Sequence, residues 1–288
     1  MTLSRRDFIK LAGGIAGGLA LNSSRPALID ALAVSSGEGG SQFLADLGYF
    51  SDISPHSIVF DESKYSPHKR ELEPSEWGAT NRHMPIKIPA DVLNHPGERS
   101  QEALKRVIEY IGFRGPRYES QPGERVSMCN IAAWDWARAL RLHLPHWKGE
   151  TEMSANMLFR WISHPEAGGV YGEGWQAIEP PVPEPASGVR LSAAGFRNLS
   201  AQLLANRGIP VFALAENPDP SRHGHVAIMY PKRLPLRLEE IEIEPEFATV
   251  KSGRSRSPNG IMGLRNAFRH LQPTYFVHLY DFVLHKNS

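Results

Sequence analysis

Hydrophobic residues recur at helical spacing in four segments of the chain. In EALKRVIEYIGF, positions 104, 107, 108 and 111 are apolar and fall on one side of a helix. The same spacing predicts a helix from Cys129 to about residue 142 and another from 154 to about 162. A fourth helix is predicted over 192–207, where Gly208 supplies a stop signal.

Short apolar runs gather after these helices. IPVFALA and HVAIMYP predict two strands joined by the polar turn ENPDPSRHG, and EFATVKSG, LRLEEIEIEP and PTYFVHLYDFVLH predict further strands. The Gly/Pro-rich passage AGGVYGEGWQAIEPPVPEPASG is expected to be a loop. Helices first and strands afterward favour an α+β fold over a doubly wound sheet.

The first 33 residues have the pattern of an export signal: a basic start, an apolar centre and a small-x-small cleavage site at 31–33. The pair Arg5 and Arg6 in SRRDFIK is similar to the twin-arginine signal of folded exported proteins. The apolar run from Ile9 to Leu21 has 13 residues, fewer than the roughly 20 that span a bilayer. We therefore expect a cleaved signal and a periplasmic or secreted protein without a stable membrane anchor. A retained anchor helix is the alternative.

Charge and composition narrow the function classes. Removing residues 1–33 leaves 28 basic and 29 acidic residues, a balance without the electrostatic footprint of a nucleic-acid-binding protein. One cysteine cannot form an internal disulfide or hold an iron–sulfur cluster with four thiolates. No cofactor motif is present, and none is expected.

The remaining chain divides into an extension over 34–98 and a main domain over 99–288. The extension is rich in Ser, Pro, His and charge, with short apolar pieces such as HSIVF and MPIKI that are candidates for single strands. We expect it to pack on the main domain.

Cys129 opens a predicted helix in VSMCNIAAWDW. The helical period places it on the same face as apolar residues farther along, which is typical of a buried structural cysteine. A helix start, however, carries unsatisfied N–H groups whose partial positive charge stabilises a thiolate. Both interpretations stay open on the residues alone.

His225 opens the strand HVAIMYP directly after Gly224. It shares one side of that strand with Ala227 and Met229. A thiol becomes a nucleophile near neutral pH when a base lies within hydrogen-bond reach, and a histidine on a rigid strand can hold that geometry. The alternative is a surface histidine at a strand start.

Together, CNIAAWDWARAL, GIPVFAL and GHVAIMY resemble the NlpC and CHAP branch of papain-like cysteine peptidases and amidases. The resemblance covers roughly residues 100–280. It implies a helix packed on a small antiparallel sheet, with Cys129 as nucleophile and His225 as general base. The backbone N–H of Cys129 is then the expected oxyanion donor.

The resemblance also implies a polar third residue that orients the imidazole from the following strand. The best-placed position is Lys251, which cannot accept an imidazole N–H bond. Asn259 and Glu242 are the candidate substitutes, with Glu244 a further one. Among substrate-binding candidates, Tyr118 resembles an upstream tyrosine of this branch, with a loop aromatic as the alternative. Asn130 lines the site or serves only as a helix-start residue.

Two other features have competing interpretations. His223 and His225 form an H-x-H pair that binds metal if a third ligand joins them, but no metalloprotease spacing occurs, so no metal is expected. Trp161, Tyr171 and Trp175 surround a glycine-rich loop and are candidates for a substrate groove or for core packing.

These residues lead us to expect an exported cysteine amidase or endopeptidase that cleaves an amide, with peptidoglycan stem peptides as the expected substrate. Its other partner is the twin-arginine export machinery. One alternative is a catalytically degenerate domain that binds wall peptides or a partner. The other is a metal-dependent hydrolase using His223 and His225.

Overall fold

A computed structural model describes residues 70–95, 98–118, 128–163, 174–178, 192–219, 221–232, 244–250 and 259–278. The export signal and the HSIVF segment lie outside the described residues. Within them the chain forms a mixed fold of five α-helices and eight strands, with every strand pairing antiparallel. This agrees with the predicted α+β class.

The helices are α1 (Gln101–Ile111), α2 (Cys129–Ala139), α3 (Ala155–Ser163), α4 (Ala193–Asn206) and α5 (Leu264–Phe268). The first four match the predicted helices in number and order. The Ser100 hydroxyl caps α1 by accepting from the Ala103 N–H, and Ser192 caps α4 in the same way. The helix α2 is shorter than predicted because Arg141 has a left-handed backbone (φ 54°) and the Leu142 N–H closes back on the Ala137 carbonyl.

The strands are β1 (Trp147–Lys148), β2 (Thr151–Glu152), β3 (Trp175–Ala177), β4 (Val211–Ala215), β5 (His225–Met229), β6 (Glu246–Ala248), β7 (Ile261–Gly263) and β8 (Thr274–His278). β1 and β2 form a small hairpin, and the others form one sheet in the order β3-β8-β4-β5-β6-β7. The passage predicted to be all loop contains β3, so that prediction was wrong there. LRLEEIEIEP lies mostly outside the described residues.

The six-stranded sheet is covered on both faces, because alternate residues of its strands enter two separate apolar clusters. On β5, Val226 and Ile228 belong to the cluster that contains α1, α2 and α3. Ala227 and Met229 belong to the cluster that contains α4 and α5. The sheet is therefore the middle layer, and each face of β5 meets a different set of helices.

The described part of the extension makes polar contacts with the main domain. Ile86 pairs with Leu72 in a single parallel bridge, so MPIKI forms no longer strand there. The Arg138 guanidinium on α2 donates to the Ile86 carbonyl at 2.8 Å and pairs with Glu71 at 2.5 Å. The Asn94 N–H donates to the Ala139 carbonyl at the C-terminal end of α2. Residues 70–95 thus hold the helix that begins with Cys129.

Candidate functional site

Cys129 is the first residue of α2, as predicted. Met128 occupies the N-cap position, and its side chain makes no capping hydrogen bond. The thiol residue is 4% exposed and belongs to the apolar cluster on the α2 side of the sheet. The first N–H groups of α2 have no partner within the helix and point out of this end, where Cys129 lies.

Asn130 connects the start of α2 to the residue that precedes α3. Its side-chain amide donates to the Met153 carbonyl at 2.6 Å. Asn130 is partly buried and lies at the edge of the core. Its amide group makes a structural hydrogen bond there.

A second asparagine, Asn156 on α3, binds the connection between β4 and β5. Its carbonyl oxygen accepts from the Asn217 N–H at 3.0 Å, and its amide donates to the Arg222 carbonyl at 3.0 Å. A Cβ on Gly224 would lie 2.3 Å from the Ala215 carbonyl oxygen and 2.5 Å from that same Asn156 oxygen, which explains why a glycine precedes His225. The start of α2 and the start of β5 therefore lie at the same end of the sheet, joined through α3.

His225 is the first residue of β5, as predicted, and is 9% exposed. Its ring packs edge-on against Phe268 of α5, with ring centroids 5.3 Å apart. Its Nε2 lies 2.8 Å from the Thr249 hydroxyl. Since Ala248 and Val250 enter the α2-side cluster, alternation directs Thr249 to the opposite face, together with His225.

The hydroxyl of Thr249 lies within hydrogen-bond distance of both the His225 ring and a backbone carbonyl of β5. Thr249 Oγ1 donates its one proton to the Val226 carbonyl at 3.1 Å. In that arrangement Oγ1 accepts from Nε2–H and Nδ1 is the acceptor nitrogen of the neutral ring, whereas in the other tautomer Oγ1 donates to Nε2.

The structure brings Cys129 and His225 to the same end of the sheet without placing their side chains on the same face. Val226 and Ile228 face α2, and His225, one position before Val226, is directed toward Phe268. Within the described residues, the hydrogen bond of the His225 ring is to Thr249 rather than to the Cys129 thiol.

Tyr118 and Trp175, two of the predicted substrate-binding residues, lie in the core. The Tyr118 hydroxyl donates to the buried Asp135 carboxylate at 2.8 Å. The Trp175 indole donates to the His143 carbonyl at 2.7 Å and packs edge-on against Phe212. For Trp175 this favours core packing over a groove. Trp161 is partly buried beside His143, and Tyr171 lies outside the described residues.

None of the positions expected for the third residue, which would orient the imidazole, is seen to contact His225 in the described part of the chain. Glu242 and Lys251 lie outside the described residues, and Asn259 is a partly buried turn residue next to Gly260. Glu244 is exposed, and its carboxylate accepts from the Arg265 N–H. Sequence reasoning missed Thr249, two positions before Lys251 and therefore on the same side of an extended chain. That period-two relationship was the available signal.

The described residues contain no group of three or more His, Cys, Asp and Glu side chains arranged to hold a metal ion. His223 is exposed, and its carbonyl accepts from the Asn217 side chain. In the part of the chain that the structure describes, no helix has the length and hydropathy to cross a membrane.

Comparison with known proteins adds no relative. No protein family, no curated protein and no solved structure matches this chain.

Proposed function

We propose that this protein is an exported cysteine amidohydrolase or peptidase of the papain-like type, acting on peptidoglycan stem peptides. The observation that supports it best is the contact between Nε2 of His225 and the Thr249 hydroxyl, because a ring bonded through Nε2–H has Nδ1 as a proton acceptor. This ring stands at the end of the sheet where α2 begins with Cys129. The twin-arginine pattern and the resemblance of CNIAAWDW and GHVAIMY support the same class.

In the proposed reaction, Nδ1 of His225 takes the proton of the Cys129 thiol, and the thiolate attacks the carbonyl carbon of the substrate amide. N–H groups at the start of α2 stabilise the oxyanion. The C–N bond then breaks as the imidazolium gives its proton to the leaving amine, and a thioester remains on Cys129. Water, deprotonated by the same imidazole, attacks the thioester and releases a carboxylic acid and the thiol.

This mechanism requires the sulfur and Nδ1 to approach each other around the first residue of β5 when substrate is bound. Catalytic hydrogen bonds are often long without substrate and tighten in the complex. A second candidate is a domain that binds wall peptides without cleaving them. In that domain the sulfur and Nδ1 have no need to come together. The directions of Cys129 and His225 to opposite faces of β5 favour that second candidate.

The deciding experiment measures release of new amines from purified peptidoglycan fragments. Cys129→Ala and His225→Ala are each expected to abolish turnover, whereas His95→Ala, an exposed histidine in the extension, leaves it unchanged. Turnover by Cys129→Ala at the parental rate would exclude the mechanism. Loss of activity in His223→Ala, restored by added metal, would favour the metal-dependent alternative.

Thiol labelling separates the two leading candidates even if the substrate is a different amide. A thiolate activated by His225 reacts with iodoacetamide near pH 6, and His225→Asn slows that reaction. A buried structural cysteine reacts only on unfolding. If the labelling rate of the folded protein is the same in His225→Asn as in the parent, the binding domain is the better assignment.

The export proposal has its own test. Replacing both Arg5 and Arg6 by lysine is expected to hold the precursor in the cytoplasm. Cell fractionation measures where the protein accumulates. Normal export of that variant would exclude the twin-arginine route.

A further inference from the structure

We propose that Thr249 is the positioning residue of His225, and that it restricts the base to one nitrogen, Nδ1. This inference rests on the proposed function for its catalytic meaning, but the tautomer it assigns is a property of the folded chain. It gives the third position of the site to a hydroxyl in place of the amide or carboxylate that the sequence led us to expect.

The Thr249 hydroxyl carries one proton and has two partners within hydrogen-bond distance. Thr249 Oγ1 lies 3.1 Å from the Val226 carbonyl and 2.8 Å from Nε2 of His225. The carbonyl can only accept, and when Oγ1 donates its one proton to it, as the geometry of that contact allows, Nε2 supplies the proton of the second bond. The bond to Nε2 persists when the ring becomes an imidazolium, because both ring nitrogens are then donors. Nδ1 is therefore the nitrogen that gains and loses the proton.

The position of Thr249 is itself fixed by backbone contacts. Thr249 is 1% exposed, and its N–H donates to the Gly260 carbonyl at 3.2 Å. Gly260 has a left-handed backbone (φ 67°), and a Cβ there would lie 2.5 Å from the Thr249 carbonyl oxygen. A side chain at 260 would therefore displace this backbone. The hydroxyl consequently keeps its orientation relative to the imidazole.

Phe268 restrains the same ring from a different element. Its ring meets the imidazole edge-on with centroids 5.3 Å apart, and it packs against Phe247 of β6 at 5.4 Å. An apolar neighbour on this side offers no alternative acceptor for Nε2–H. The hydroxyl of Thr249 is therefore the polar group that sets the rotation of the ring.

The test is nitrogen-15 NMR of the His225 ring in the full chain. We expect the neutral ring to carry its proton on Nε2, with an Nε2–H resonance that exchanges slowly with water. Thr249→Val keeps the shape but loses the acceptor, so this protected resonance should disappear. Thr249→Ser should retain it, and Thr151→Val at an exposed strand position should leave it unchanged.

Activity provides the second readout. Thr249→Val should lower kcat by about 10- to 100-fold, as expected for a misplaced catalytic group, with KM nearly unchanged, and Thr249→Ser should restore most of it. A wild-type ring protonated on Nδ1 would overturn the inference, and so would a Thr249→Val protein that keeps both the protected resonance and kcat. The wild-type tautomer decides the matter if Thr249→Val fails to fold. If wild-type protein cleaves no amide while the Nε2–H signal is present, the proposed function fails and the structural assignment stands.

Discussion

The guanidinium of Arg117 and the carboxylate of Asp135 form a two-point ion pair with both side chains fully buried. The two bonds measure 2.7 and 3.2 Å, and Arg117 also donates to the Met84 carbonyl in the extension at 2.7 Å. Burial raises the pKa of Tyr118, and the Asp135 charge acts in the same direction, so the tyrosine stays protonated and donates to Asp135. The interaction joins α2 to the 3-10 turn Pro116–Tyr118 and to residues 70–95.

Replacing Asp135 by Asn is expected to destabilise the protein by roughly 3–5 kcal/mol, because Arg117 loses its charge partner without access to water. Urea unfolding measures the change. The exposed pair Arg160–Glu216 is the matched control, and Glu216→Gln should cost at most about 1 kcal/mol. Equal losses for the two variants would contradict the importance given to burial.

Gly208 is expected to be intolerant of any side chain. It has a φ of 83°, and a Cβ would lie 2.6–2.8 Å from backbone atoms of Ser100, the N-cap of α1. Gly208→Ala should therefore cost at least about 1 kcal/mol in the free energy of unfolding. Gly78, where a Cβ meets nothing within 4 Å, provides the control, since Gly78→Ala should change stability by no more than about 0.5 kcal/mol.

Replacing Arg269 by glycine is expected to increase the stability of the protein. It has φ 54° and ψ −108° in the turn after α5, a conformation that glycine adopts without strain. Arg269→Gly should raise the free energy of unfolding by up to about 1 kcal/mol, measured by urea denaturation. Arg269→Ala removes the same side chain but keeps the strain, so a similar gain from alanine would refute this explanation.

The hairpin β1–β2 is expected to lose stability in acid. The polar contact with His146, 3.0 Å away, lowers the pKa of Glu152 below its ordinary value of 4.5, and the Arg82 and His83 charges add to this. A carboxyl whose pKa is lowered on folding stabilises the native state above its unfolded pKa, and the contribution disappears as pH falls through the folded value. Glu152→Gln should therefore flatten the decline in thermal stability below about pH 4.5. An unchanged acid limb would show that the contact has no energetic effect.

Local pattern was sufficient for the positions of Cys129 and His225. Each begins an element whose apolar spacing is evident in the chain, and the structure begins α2 and β5 at those residues. The edge strand containing Trp175 was missed because three residues among glycines and prolines carry no alternation that can be recognised. Its pairing with β8 is a long-range contact.

The partners of these residues were beyond the reach of local pattern. Thr249 meets His225 only through the register between β5 and β6, which aligns Ile228 with Ala248. The direction of the imidazole relative to α2 also depends on which face of β5 the helix covers. A period-two pattern divides the side chains of a strand between two faces. It does not say which helix covers the face that contains Val226.

The contacts of Arg117 and Arg138 with the carbonyl groups of Met84 and Ile86 have a consequence for synthesis on the ribosome. The acceptors are translated first, and the donors follow in a 3-10 turn and a helix that are made later. Residues 70–95 can dock only after the ribosome has added the segment that contains Arg117 and Arg138. This part of the fold therefore forms late during synthesis. A polypeptide released early would carry the acceptors with no arginine to satisfy them.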